Sequence, residues 1–182
     1  MNREIKKIYT PFSDDVIAGL SVGDSVFITG EIYTARDAAH KRLIEMLDAG
    51  EPMPFDFHGQ AVYYAGPSPT RPGAAVGSIG PTTSGRMDAY SPRLIRRGLK
   101  VMIGKGLRDD SVREAIVENC GLYLAAIGGA AALISRSVKM VEMVAFPDLG
   151  AEAIRKLVVE NFPAIVAMDA RGNDIYAKIC AR

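Results

Sequence analysis

The segment Asp24–Gly50, DSVFITGEIYTARDAAHKRLIEMLDAG, decides the reading of the fold. Its first half, Asp24–Thr34, has the β-branched and aromatic content of a strand. Its second half is the clearest helix pattern in the chain. Thr34 reads as the N-cap with Asp37 three residues on as its reciprocal partner, and Gly50 closes the helix. Ala39, Leu43, Met46 and Leu47 form the apolar stripe between them. A strand that runs straight into an amphipathic helix is the unit of a mixed α/β protein.

Working outward, Gln60–Gly66 and Ala74–Gly80 read as strands separated by the turn-rich PSPTRPG. SPRLIRRG predicts a short helix with Ser91 as cap, Pro92 in its first turn and Gly98 past its end. KVMI is a strand, and DDSVREAIVENCG is a helix with Ser111 and Glu114 spaced as a capping box. LYLAAIGGAAALI mixes strand and helix signals around the Gly128–Gly129 pair, which favours close packing. KMVEMVAF reads as a strand, GAEAIRKLVVENF as an amphipathic helix, and AIVAMDARGNDIYAKI as a hairpin turning at Gly172 and Asn173. Strands and helices interleave without regular βαβ alternation, so the expectation is a compact mixed α/β domain of layered sheet and packed helices over residues 1–182.

Composition narrows the function. The chain of 182 residues is 48% hydrophobic and 24% charged, with a net charge of +1, so no global field argues for nucleic acid or a membrane surface. The balance is uneven locally. Arg86, Arg93, Arg96, Arg97, Lys100, Lys105 and Arg108 stand within one segment against a single acid, Asp88. That segment suits an anion or a solvated face, and it lacks the interleaved aromatics of a nucleic-acid binder beyond Tyr90. Cys120 and Cys180 are too few for a disulfide scaffold and have no metal-ligand spacing. Cys120 reads as a small buried apolar residue. The N-terminal MNREIKKIYTPF has no apolar signal core, which gives a cytoplasmic expectation.

Three short stretches carry chemistry. Arg36 and His40 share a face of the first helix, and Arg36 sits in the first turn, where the macrodipole disfavours a cation. A bound anion would justify it there; equally, Arg36 could reach to solvent while His40 hydrogen-bonds in the helix face. Gly80–Tyr90, GPTTSGRMDAY, sets Thr82, Thr83, Ser84 and Arg86 on one tight turn. A single cap needs one hydroxyl, and the surplus with Arg86 suits recognition of a carboxylate. Ile103–Gly106, IGKG, places Lys105 between glycines after a strand, without the spacing of a phosphate-binding loop. Asp169, Asn173 and Asp174 are turn residues. Cations and threonines without a nucleophile–base pair describe a pocket for a small polyanion and an incomplete catalytic apparatus.

GEIYTARDAAHKR, GPTTSGRMDAY and IGKG, in that order, resemble the β-subunit (C-terminal domain) family of iron–sulfur-dependent hydro-lyases, the class I fumarases and L(+)-tartrate dehydratases. The likeness extends through VGDSVFITG, GGAAAL and LGAEAIRKLVVENFPAIVAMDARGND. It implies a swivelling β/β/α domain that closes on a separate cysteine-bearing α subunit, which holds a [4Fe–4S] cluster. None of that cluster's ligands, and no other metal site, is expected in this chain. It implies hydration of fumarate to L-malate, with tartrate dehydration as the sister activity and a non-catalytic anion-binding domain as the third reading. By resemblance Arg36, Arg86 and Lys105 hold substrate carboxylates, Thr82 is the catalytic base, and Thr83 donates a hydroxyl to substrate. His40 and Asp37 orient Arg36 or meet the partner, and Gly80, Gly85 and Gly104 give backbone clearance. A chain that begins at this domain leads to the expectation of a two-polypeptide enzyme, such as a heterotetramer.

Overall fold

The computed structural model describes residues 4–69, 73, 75–126 and 131–180. Seven strands make one mixed sheet: β1 (Lys6–Tyr9), β2 (Ser25–Thr34), β3 (Ala61–Tyr63), β4 (Val101–Gly104), β5 (Leu122–Ala125), β6 (Val138–Ala145) and β7 (Ile154–Met168). Strands β1 to β5 are parallel neighbours in chain order. Strand β7 runs antiparallel to β5, β6 and β2 at once, so the β2–β3–β4–β5–β7 part of the sheet closes on itself.

Closure divides the core in two by the alternation of the strands. Ala61 and Tyr63, Val101 and Ile103, and Leu122 and Leu124 point inward with Ile32, Leu157 and Phe162. Helices α1 (Asp14–Ala18) and α5 (Ala131–Ser137) add Ile17 and Ile134 to that interior. Val62, Met102 and Tyr123 point outward, where α2 (Asp37–Ala49), α3 (Ser91–Ile95) and α4 (Asp110–Glu118) cover them with Leu43, Leu94 and Ile116. The result is the expected layered α/β protein. None of the described helices is long and apolar enough to cross a membrane.

Several local expectations are corrected. The segment Ile154–Met168 is a strand, with Leu157, Val159, Phe162, Ala164 and Val166 buried. Its alternation slips by one residue at Arg155–Lys156 and at Glu160–Asn161, and Asn161 has φ +52°. These slips stretch the apolar spacing to three and imitate a helix. Ala75–Gly80 forms no strand, because Val76 and Ile79 enter the core three residues apart and Gly77 packs directly on Ser68 and Pro69. The final hairpin is instead a turn held by Asp169, which accepts from the amides of Arg171 and Asn173, followed by α6 (Ile175–Cys180). Thr70, Arg71, Pro72, Ala74 and the Gly128–Gly129 pair lie outside the described residues.

The caps differ as well. Thr34 is fully buried and accepts from the Arg155 amide at 3.2 Å, so it ties β2 to β7 and does not cap α2. Ser91 is the first residue of α3. Asp109, and not Ser111, caps α4 by accepting from the Val112 amide. Gly50 closes α2 in the left-handed conformation, as expected.

Candidate functional site

Because β2, β3 and β4 are parallel, the loops that leave them collect along one edge of the sheet. Residues Ala35–Asp37 leave β2, Tyr64–Gly66 leave β3, and Lys105–Arg108 leave β4. Pro81–Thr83 threads between the last two. The Thr82 amide donates to the Tyr64 carbonyl at 2.6 Å, Pro81 bridges to Ala65, and Thr83 bridges to Lys105. A 3-10 turn, Ser84–Met87, then carries Arg86 over the start of α2, where its guanidinium pairs with the Asp37 carboxylate. The structure thus brings Arg36, Asp37, His40, Thr82, Thr83, Arg86 and Lys105 to one edge.

Each occupies a definite setting. Arg36 stands at the N-cap of α2 without capping it, and its guanidinium lies 3.4 Å from Glu152. Its Nε is buried without a hydrogen-bond partner. Gly66 makes room for it, since a Cβ there would stand 3.1 Å from the Arg36 guanidinium and 2.6 Å from the Ala151 carbonyl. Thr82 is half-buried, and Thr83 and Lys105 are exposed. No carboxylate among the described residues pairs with Lys105. The rim therefore holds three cations, Arg36, Arg86 and Lys105, against two carboxylates, Asp37 and Glu152, and keeps a formal surplus of one positive charge.

His40 is fully buried behind the rim, in edge contact with Tyr64. Its Nδ1 lies 2.9 Å from the Arg36 carbonyl. A carbonyl only accepts, so Nδ1 carries the proton and Nε2 is left buried and unpartnered. Burial pushes its pKa down to about 4, with the Arg36 contact acting the other way and the Arg108 charge adding to the lowering. His40 thus hydrogen-bonds within the first turn of α2, to the Arg36 carbonyl.

The basic segment is not one patch. Arg93 pairs with Asp48, Arg96 with Glu118 and Lys100 with Asp14. Arg108 is buried and donates to Asp88 at 2.6 Å and to Ser91 at 2.9 Å. The lone acid of the segment is thus the partner of its one fully enclosed cation. A Cβ on Gly104 would stand 2.0 Å from the Ser84 hydroxyl, whereas one on Gly85 would make only ordinary contacts within the chain.

Sequence reasoning missed four members of this arrangement. Glu152 caps α2 from a distant segment, accepting from the Ala38 amide at 2.9 Å. Tyr123, Asp88 and Arg108 are buried beneath the two loops. Asp88 alone had a signal, as the single acid among seven bases. Among the described residues no group of His, Cys, Asp or Glu is placed to hold a metal ion. Cys120 is partly exposed and not buried as expected, and its thiol is raised above its ordinary pKa, chiefly by desolvation.

The fold and site define a layered α/β unit with a closed mixed sheet, which gathers arginines, a lysine and threonines outside the carboxyl ends of its parallel strands. The chain belongs to the Fumarase C-terminus family, whose family model matches residues 3–179. It is 41% identical over 181 residues to the anaerobic class I fumarate hydratase of Escherichia coli, covering 98% of this chain and 32% of that protein. It is 44% identical over 162 residues to fumarate hydratase 2 of Leishmania major, covering 88% of this chain and 28% of the relative. A putative L(+)-tartrate dehydratase subunit beta of Methanocaldococcus jannaschii is 44% identical over 166 residues, 88% of this chain and 85% of its own length. The chain thus spans about a third of the fumarate hydratases and most of the tartrate dehydratase subunit.

Proposed function

We propose that this chain is the carboxylate-holding β part of a two-chain hydro-lyase that interconverts fumarate and L-malate in the cytoplasm. The observation that carries the reading is the rim itself, where Arg36, Arg86 and Lys105 converge with the Thr82–Thr83 pair on one sheet edge. Guanidiniums fit carboxylates as planar forks, and a lysine adds a point charge at the far end of a dicarboxylate. The similarity to fumarate hydratases supports the substrate, and the similarity to a dehydratase subunit over 85% of its length supports separate chains.

In this reading the cations fix both substrate carboxylates, and Thr83 donates its hydroxyl to one of them. Thr82, half-buried and held by its amide, moves the proton at the substrate carbon that gains or loses hydrogen. A threonine hydroxyl is a weak base and needs a carboxylate to take its proton onward, which we assign to the partner. An iron–sulfur cluster does not fit this chain. Two cysteines cannot supply the three thiolates that such a site with one open iron takes. Any [4Fe–4S] cluster belongs to a cysteine-bearing α subunit, and the pair of chains forms the heteromer.

The second reading, tartrate dehydration, rests on the subunit-sized relative. The test is anaerobic co-expression with a cysteine-bearing partner and assays with fumarate, malate and tartrate in parallel. Malate–fumarate turnover that needs both chains and is lost in Thr82→Ala is the expected result. Turnover of tartrate alone would move the assignment to the dehydratase. A stable complex without either activity would leave a non-catalytic anion-binding domain.

A further inference from the structure

We propose that the buried hydroxyl of Tyr123 is a positioning group that sets the spacing between the two loops of the site, the Thr82–Arg86 turn and the Lys105–Gly106 loop. The inference rests on the function proposed above. Tyr123 lies on the outer face of β5 and is 1% exposed, so it is beyond the reach of substrate. Its oxygen is 2.9 Å from Ser84 Oγ and 2.9 Å from the Gly106 carbonyl. The phenol is the donor toward both, its one proton shared between the Ser84 oxygen and the Gly106 carbonyl.

Both partners are one residue from the proposed chemistry. Ser84 follows Thr83, and Gly106 follows Lys105. A second tie joins the same two loops, because the Ser84 amide donates to the Lys105 carbonyl at 2.8 Å. The junction has no slack. Ser84 Oγ sits 2.0 Å from where a Cβ on Gly104 would be, and Gly106 takes φ +84°. Behind the ring, the Arg108 guanidinium stands 5.0 Å from the Tyr123 ring centre and is fixed by Asp88 and Ser91. Burial also holds the phenol above its ordinary pKa, so it remains a donor at working pH.

Removing one hydroxyl therefore leaves the threonine turn held to the lysine loop by its backbone tie alone, without opening a cavity. Tyr123→Phe is the direct test, with Ser84→Ala as its counterpart. In the assembled enzyme, kcat is expected to fall about 10- to 100-fold, the scale of a displacement near 1 Å, with KM changing less. The double variant should be no worse than either single one, since both remove the same bridge. In the isolated chain, the Thr82 and Ser84 amides should exchange about tenfold faster in Tyr123→Phe, while the β4 amides and the melting temperature hold.

A lower melting temperature with unchanged kcat and KM would reduce Tyr123 to a structural residue and overturn the proposal. So would faster exchange with unchanged kinetics. If the wild-type pair shows no hydro-lyase turnover, the functional reading falls by itself. The exchange of Thr82 and Ser84 then decides the spacing claim, and unaltered exchange overturns it.

Discussion

At the scale of single residues, His40 and Arg86 separate stability from activity. His40 is neutral in the folded chain, with a pKa pushed to about 4 by burial, against an ordinary value of 6.5. The unfolded chain binds that proton first as pH falls. The stability His40 contributes is therefore complete above pH 6.5 and is lost between 6.5 and about 4. The total is roughly 3 kcal/mol for a shift of this size. Urea unfolding of the isolated chain should show this slope below pH 6.5, and His40→Gln should flatten it. An equal slope in both would assign the titration to another group. Arg86 is the reverse case. Its ion pair with Asp37 is half-exposed, so Arg86→Ala should change stability by less than about 1 kcal/mol. In the proposed role it should lower kcat/KM by ~2–4 kcal/mol in transition-state terms, because its charge faces a carboxylate. Near-normal kcat/KM in the assembled enzyme would remove Arg86 from the site.

At the scale of elements, what was legible in the sequence was local, and what was hidden acts across the chain. Helix α2 and its Gly50 end follow from a periodic stripe and one glycine, but its N-terminal anchor does not. Glu152 reaches Ala38 from 114 residues away, and no local spacing rule sees that contact. The loops that bear Thr82, Thr83, Arg86 and Lys105 were legible because each packs its functional residues beside turn glycines, and Arg36 because it stands in a first helical turn, where the macrodipole disfavours a cation. The brace beneath them was not, since Tyr123, Asp88 and Arg108 meet only after β4, β5 and the 3-10 turn have folded together. The first half of β7, to Phe162, was read as a helix because its two slips in alternation gave the wrong period, and only its pairing with β2 and β6 reveals the strand. The capping role makes a prediction for α2. Glu152→Ala removes an acceptor and a negative charge at a helix N-terminus and should cost about 1 kcal/mol in denaturant unfolding. Glu152→Gln, which keeps the acceptor, should recover part of that loss. No difference between the two would mean that the charge alone matters.

At the scale of the whole molecule, the candidate site depends on a ring. The rim loops leave β2, β3 and β4, and the short parallel pairings among those strands are completed only because β7 joins β5 back to β2. A closed sheet has no free edge within the ring from which to fray. The amides of β4 should then exchange only when the ring opens, with a free energy close to that of global unfolding. Leu157 tests this from a distance. It lies on β7, opposite Ile32 of β2 and Val141 of β6, and is fully buried in the inner core. Leu157→Ala should cost about 2–5 kcal/mol. If closure couples the strands, exchange at Met102 on β4 should speed by the factor that corresponds to the same loss, and unfolding should remain a single transition. The rim of the surviving folded fraction should keep its KM, because Leu157 lies on β7 in the inner core and is not one of the rim residues. Met102 exchange that ignores the Leu157 cavity would show that the parallel strands stand without β7, and the rim would then owe its geometry to the buried brace alone.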